Sequence, residues 1–268
     1  MPYIAAGRLE DLPPEIRAGL GAYRYEVFVR RLGWTLPTST DNQTSEWDQF
    51  DDGATVHIVA LSPVRRICGC ARLMSTTGRY LLKEVFPELL GSEPPRQSTT
   101  LWELSRFAGS PQKSRDDDPS ERNAPGMQLF PYALALAASF GATDVIGVVS
   151  RSVERLYRRS GLTLQRIHPD LAARNASIVA CSIELSPATF SRLGCDPHEL
   201  MKSVHWFGES RLPDTTGGID DAGSSGTALL PLSDDGTPPG KARHAGRSRL
   251  PCGNGGYTPD SSTPFEFC

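Results

Sequence analysis

The sequence predicts an α/β fold, a three-layer α/β/α sandwich around one mixed sheet. Three observations predict it. Short apolar runs of strand length (Val56–Leu61, Ile67–Met74, Asp144–Ser150, Ile178–Leu185) alternate with stretches of helical period. The order runs helix, strands, helix, strand, helix, strand, helix, strand, helix, which is an α/β order rather than an all-α or all-β one. No internal repeat is visible, so the chain is not a solenoid or propeller.

The elements follow in chain order. Ile16, Leu20, Tyr23, Val27 and Phe28 recur with helical period over residues 14–33. A Thr/Ser/Asn-rich loop from Pro37 to Glu46 follows. VHIVAL and ICGCARLM read as paired strands around a short turn containing Pro63. Leu81, Leu82, Val85, Phe86 and Leu89 mark a short helix within Tyr80–Leu90, interrupted at Pro87. WELSRFA, residues 102–108, reads as a third strand, and residues 110–126 as a solvated loop. Helix is expected over Phe130–Phe140, and then strand at Asp144–Ser150. Val153, Leu156 and Tyr157 share a helix face that Gly161 terminates. Strand at Ile178–Leu185 and a short helix at Pro187–Leu193 complete the domain. Residues 1–207 form this domain. From residue 208 to 268 Gly, Ser, Pro, Asp and Thr dominate, a composition expected to be disordered and dispensable for chemistry.

Bulk composition narrows the function. The 268 residues carry a formal net charge of −3, which argues against a nucleic-acid-binding protein. No apolar run approaches a membrane span and no basic, then apolar leader opens the chain, so a cytoplasmic location and no membrane partner are expected. The six cysteines show no CxxC or zinc spacing and read as reduced; no metal is expected.

The polar residues of WELSRFA need an explanation, because an unpaired buried charge costs several kcal/mol, about 3–5 where one partner of a pair is missing. Alternation puts Glu103 and Ser105 on one face of the strand and Arg106 on the other, unless a bulge re-aims it. Arg24 and Phe28 share a helix face, with Trp34 just beyond. Glu46, Asp48 and Asp51 crowd a segment too short and polar to be core, and Arg72 interrupts an apolar strand. Singly each has an ordinary reading: surface arginine, core phenylalanine, solvated turn, structural ion pair. Together, two arginines, two aspartates and a glutamate need one another, and a charge cluster beside an aromatic wall suits a zwitterionic or cationic substrate.

The layout resembles that of GCN5-related acyltransferases, although their Q/R-x-x-G-x-G/A pyrophosphate turn is absent. Where it would lie, the chain has Arg122-Asn-Ala-Pro-Gly126-Met. A more specific resemblance rests on Arg24-x3-Phe28-x5-Trp34, Asp48-x2-Asp51, Arg72, Phe86 and Glu103-x2-Arg106. With the stretches YRYEVFVRRLGW, DQFD, GCARL, TTGRYLLKEVFPELL and WELSRFA, this set is similar to the signature of LuxI-type acyl-homoserine lactone synthases, from about Tyr3 to Phe207.

The resemblance implies a quorum-sensing autoinducer synthase that joins S-adenosylmethionine, a substrate rather than a cofactor, to an acyl thioester and releases methylthioadenosine. The donor it implies is acyl carrier protein, with coenzyme A as the alternative. Glu103, Ser105 and Arg106 are then catalytic: Glu103 as the base for the amine and Ser105 beside the thioester oxyanion. Arg24, Phe28, Trp34, Asp48, Asp51 and Arg72 would bind S-adenosylmethionine. Phe86, Gly147 and Ser150 would line the acyl pocket, where Gly147 offers no hydroxyl to a 3-oxo group and Ser150 is the alternative partner from a neighbouring position. An unsubstituted medium chain is expected. Arg155 and Arg159, on the helix SVERLYRRSG, would dock the acidic carrier, or serve only the helix dipole. A GCN5-related N-acetyltransferase of another amine and a catalytically dead sensor are the competing readings.

Overall fold

The computed structural model describes residues 3–34, 44–109, 128–168 and 177–209. The chain opens with β1 (Tyr3–Arg8), then α1 (Pro14–Arg24), which continues as a π-helical turn over Tyr25–Arg31. Next come β2 (Val56–Leu61), β3 (Ile67–Ser75), the short helix α2 (Leu81–Glu84), a 3₁₀ turn at Pro87–Leu90, and β4 (Leu101–Gly109). The second half contains α3 (Phe130–Ser139), β5 (Asp144–Ser150), α4 (Arg151–Arg159), β6 (Gln165–Arg166) and β7 (Ile178–Glu184). It ends in α5 (Pro187–Arg192), α6 (Pro197–Lys202) and β8 (Val204–Phe207).

One mixed sheet has the order β6-β7-β5-β4-β3-β2-β1-β8. The β1–β2–β3–β4 meander is antiparallel, whereas β8 joins β1 and β5 joins β4 in parallel. The sequence reading assigned no element to Tyr3–Arg8 or Val204–Phe207. Both are short: β1 pairs along its whole length with β2, and β8 joins its other side in parallel as the edge strand. The β4–β5 pairing spans only Leu101↔Asp144 to Glu103↔Ile146, so these two central strands part company just past Glu103. The loop expected at 110–126 and, from residue 210, the tail lie outside the described residues.

Side chains divide the sheet into two unlike faces. One is wholly apolar: Ala71, Leu73, Leu104, Phe107, Val145 and Val149 pack under α3, whose Phe130, Ala133, Leu134 and Ala137 are fully buried. The other carries two separate apolar clusters. At one end Leu20, Val27 and Phe28 cover Ala5, Val59 and Cys70. At the other, Phe50, Tyr80, Leu81 and Leu82 pack with Met74, Leu101, Ile146 and Val148. Between the two clusters the same face presents His57, Arg72, Glu103 and Ser105, all buried. The polar centre is thus walled by apolar packing on both sides.

Truncating a side chain at the middle of the apolar face tests this arrangement. Leu104→Ala is expected to cost about 2–5 kcal/mol, seen as a lower denaturant midpoint with an unchanged slope.

Candidate active site

The site is assembled from four parts of the chain. α1 delivers Arg24, whose Nε donates to Glu46 and whose Nη1 and Nη2 donate to Asp51 Oδ1 and Oδ2 at 2.8 and 2.9 Å. The Glu46–Asp51 segment lies against α1 because Gly21 has no side chain. A Cβ there would sit 2.8 Å from the Trp47 ring, and the Glu46 N–H donates to the Gly21 carbonyl at 3.0 Å. Trp47 in turn stacks under the Arg24 guanidinium, 4.9 Å away.

β3 delivers Arg72. Its Nε donates to Ser105 Oγ (2.9 Å) and its Nη1 to Asp48 Oδ1 (2.6 Å) and Asp51 Oδ1 (2.9 Å). Its Nη2 is buried and has no partner among the described residues. β4 delivers Ser105 and Arg106 through a bulge, with Cys70 opposite Ala108 but Arg72 opposite Ser105. Arg106 sits at φ 48°, a left-handed conformation that an arginine rarely adopts. The extra residue keeps Arg106 on the polar face beside Ser105, and Phe107 returns to the apolar one. Arg106 Nε and Nη2 donate to Glu46 Oε1 (3.1 and 3.0 Å), and Nη2 donates also to Asp48 Oδ2 (2.6 Å).

Three guanidinium groups therefore interlock with three carboxylates. Burial would raise Asp48 and Asp51, but Arg72 with Arg106, and Arg24 with Arg72, outweigh it and hold both carboxyls below the usual range. Burial would likewise lower Arg24, and Asp51 and Glu46 instead push it up. The segment read as too polar for core buries its acids: Glu46 is 0% exposed, and the Asp48 and Asp51 side chains are nearly so. Glu46 was not among the residues assigned to a role from sequence. Its signal there was only membership of a three-acid run, and its partners lie 22 and 60 residues away.

The π turn positions the aromatic wall. Its wide i→i+5 bond, Leu32 N–H to the Val27 carbonyl, together with Gly33 at φ 69°, folds Trp34 back onto Phe28, with ring centroids 4.8 Å apart. The Arg106 guanidinium lies over both rings, at 5.5 and 5.1 Å. Phe28 and Trp34 thus join the charge network, one cation–π contact removed from the acids.

Glu103 stands apart from this network. Its carboxylate accepts the Leu81 and Leu82 N–H groups at 2.5 and 2.8 Å, at the start of α2. Burial pushes it up to about 7, opposed by those two amides and by the Arg72 cation. A carboxyl poised there can take or give a proton at neutral pH.

The residues assigned to an acyl pocket are not brought to one face. Phe86 packs on the cluster containing Ile146 and Val148. Gly147 lies between Val145 and Val149 on the opposite face, by the alternation of β5. It is also the first β5 residue beyond the stretch paired to β4. Ser150 caps α4, where its Oγ accepts the Val153 N–H at 3.2 Å and pairs with the Ser152 hydroxyl. On α4, the buried Glu154 binds both Arg158 of the same helix and Arg166 of β6, whereas Arg155 and Arg159 are exposed and in no ion pair among the described residues. None of the described acids, histidines or cysteines group as a metal site. No helix among the described residues is long and apolar enough to cross a membrane.

A family model described as autoinducer synthase matches residues 16–193, which contain every side chain of this centre. The chain belongs to the autoinducer synthase family. It is an acyltransferase of the acyl-homoserine-lactone synthase type. The synthase is 40% identical over 174 residues to an acyl-homoserine-lactone synthase of Pseudomonas aeruginosa, covering 65% of this chain and 82% of that one. It is also 40% identical over 188 residues to one from Ralstonia solanacearum, covering 68% and 89%. Among solved structures it matches the AHL synthase LasI at 27% identity and TM-score 0.60, covering 72% and 94% of the two chains. TofI, solved in a ternary complex with an inhibitor and MTA, matches at 38% and 0.57, covering 70% and 94%. The CoA-dependent acyl-homoserine lactone synthase BjaI shares the fold at TM-score 0.62, with 21% identity over 79% of this chain and 96% of that one.

Removing one acid from the interlocked set leaves buried guanidinium groups uncompensated. Glu46→Gln is expected to destabilise the synthase by about 3–5 kcal/mol in chemical denaturation.

Proposed function

We propose that this chain makes an unsubstituted, medium-chain acyl-homoserine lactone from S-adenosylmethionine and an acyl group borne on acyl carrier protein, releasing methylthioadenosine. The observation that carries the reading is Glu103, a buried carboxyl poised at about 7 beside a charge-balanced cage of arginines and acids.

In this reading the α-amino group of S-adenosylmethionine gives a proton to Glu103, directly or through a water, and its nitrogen attacks the thioester carbon. Ser105 already accepts from Arg72 Nε, so its own hydrogen is free to be donated to the developing oxyanion. The carrier thiolate then leaves. The substrate carboxylate attacks its own γ carbon, the carbon–sulfonium bond breaks, and the lactone closes. The unpartnered Nη2 of Arg72 receives that carboxylate, while Arg24 and Arg106 hold Asp48 and Asp51 toward the substrate's cationic groups. Phe28 and Trp34 wall the pocket under Arg106.

The acyl chain enters where β4 and β5 separate, with Phe86 on one side. Gly147 stands at that opening without a hydroxyl, and the Ser150 oxygen is engaged in capping α4. Gly147 offers no partner to a 3-oxo group, which would lose water at a cost of about 1–3 kcal/mol, and the Ser150 hydroxyl is already paired with that of Ser152. The exposed Arg155 and Arg159 meet the acidic carrier, while Glu154 holds Arg158. The catalytic domain spans residues 1–207, and residues 208–268 take no part in chemistry.

Four measurements test this. Mass spectrometry of extracts from a heterologous host should show an unsubstituted medium-chain lactone as the main product, and Glu103→Ala should lower kcat by roughly 10²–10⁴. Because Glu103 must be ionised to accept a proton, wild-type kcat/KM should rise with pH through about 7. A dominant 3-oxo product, or full activity in purified Glu103→Ala, refutes the corresponding part. Separately, reversing Arg155 and Arg159 to Glu should raise KM for the carrier-borne donor and spare that for S-adenosylmethionine. An unchanged donor KM points to a coenzyme A thioester or to a different docking face.

A further inference from the structure

His57 lies on β2 directly across from Arg72 on β3 and is 0% exposed. Neither of its ring nitrogens has a hydrogen-bond partner among the described residues. Fully buried polar atoms are nearly always satisfied, so an imidazole with both nitrogens idle calls for an explanation. Its Nε2 stops 3.8 Å from Asp51 Oδ1, too far for a hydrogen bond and one small ring movement from making it. The edge of Trp47 borders the ring on another side, with centroids 6.2 Å apart and planes at 89°.

Asp51 Oδ1 is the crowded atom of the network. It accepts Arg24 Nη1 at 2.8 Å and Arg72 Nη1 at 2.9 Å, with His57 waiting behind. Arg72 also holds a buried guanidinium nitrogen with no partner among the described residues, Nη2. A guanidinium is rigid and planar, so Arg72 cannot turn Nη2 onto an incoming carboxylate without moving Nη1 away from Asp51.

We infer that His57 is a positioning residue for substrate capture, a reserve donor whose Nε2–H takes over Asp51 Oδ1 when Arg72 turns toward the carboxylate of S-adenosylmethionine. The inference rests on the proposed role of Arg72. Burial, with the Arg24 and Arg72 cations, holds the imidazole down to about 3 against the pull of Asp51 and Asp48. The ring is therefore neutral under assay conditions and acts as a donor without adding a charge to a balanced set. The exchange moves no covalent bond: Asp51 loses the Arg72 Nη1–H contact and gains the His57 Nε2–H one, while Asp48, which Nη1 also serves, keeps the Phe50 N–H and Arg106 Nη2–H bonds. The substrate carboxylate then need not compete with an aspartate that would otherwise be left under-satisfied.

The test has two arms. In steady-state kinetics, His57→Leu is expected to raise KM for S-adenosylmethionine about tenfold, or about 1.4 kcal/mol, and to leave kcat within about twofold. His57→Gln, which restores an N–H of similar reach, should return KM to within about threefold of wild type. Equal KM values for wild type and His57→Leu overturn the inference, as does a Gln variant no better than the Leu variant. Should His57→Leu fail to fold, the second arm reads the wild-type chain and uses His57→Gln only for assignment. With ¹⁵N-labelled histidine, adding S-adenosylmethionine without acyl donor should shift the Nε2 resonance of His57 to that of a hydrogen-bonded donor, the assignment being made by its loss in His57→Gln. Saturable binding with an unmoved Nε2, or a proton on Nδ1 instead, overturns this inference alone. Absence of S-adenosylmethionine binding overturns the functional reading and this inference together.

Discussion

Six buried charges, three guanidinium groups and three carboxylates, hold α1, the 46–51 segment, β3 and β4 in one arrangement. Taking such ions out of water costs several kcal/mol each, and the cost is recovered only where every partner is present with good geometry. Arg24 grips Asp51 with two parallel bonds while reaching Glu46, and Arg106 bridges Glu46 and Asp48. Each member pairs with two others, so a shift of any one is felt by both. The cluster is therefore a poor source of net stability and an effective source of uniqueness. It forces the left-handed turn at Arg106, fixes the register slip between β3 and β4, and sets where Phe28 and Trp34 face.

Glu103 shows the complementary design. It lies on the same sheet face, yet its oxygens are held by backbone amides of α2 rather than by guanidinium groups. An arginine partner would have pinned the carboxyl low, as it does for Asp51. Two neutral amides orient it without doing so, and burial is then free to lift it toward neutrality. Within a single layer of side chains the protein thus holds the Asp48 and Asp51 carboxyls low and leaves Glu103 able to exchange its proton.

Much of this was legible in the sequence, and the part that was not shares a physical cause. The strand character of WELSRFA and the placement of Glu103 beside Ser105 follow from period-two alternation, a local property. The side taken by Arg106 does not, because a bulge depends on what the neighbouring strand offers, here Arg72 and the acids beyond it. The Glu46–Asp51 run looked like a solvated turn because nothing nearby in the chain neutralises it. Its partners come from positions 24, 72 and 106. Likewise Tyr3–Arg8 and Val204–Phe207 are too short to announce themselves as strands and depend on pairing across the whole domain. The apolar periodicity of α1 was clear, but its widening into a π turn was not, since that reflects the demand to stack Trp34 on Phe28.

Gly21 has a consequence for anyone seeking a sturdier version of this enzyme. By helix propensity, exchanging a glycine in the middle of α1 for alanine is among the safest of stabilising changes, a gain of about 1 kcal/mol. Here the new methyl group would land 2.8 Å from the Trp47 ring, displacing the segment that carries Glu46, Asp48 and Asp51. The helix would improve by its own measure while the chemistry it supports came apart. Stabilising substitutions chosen by local rules alone would have to pass this position by.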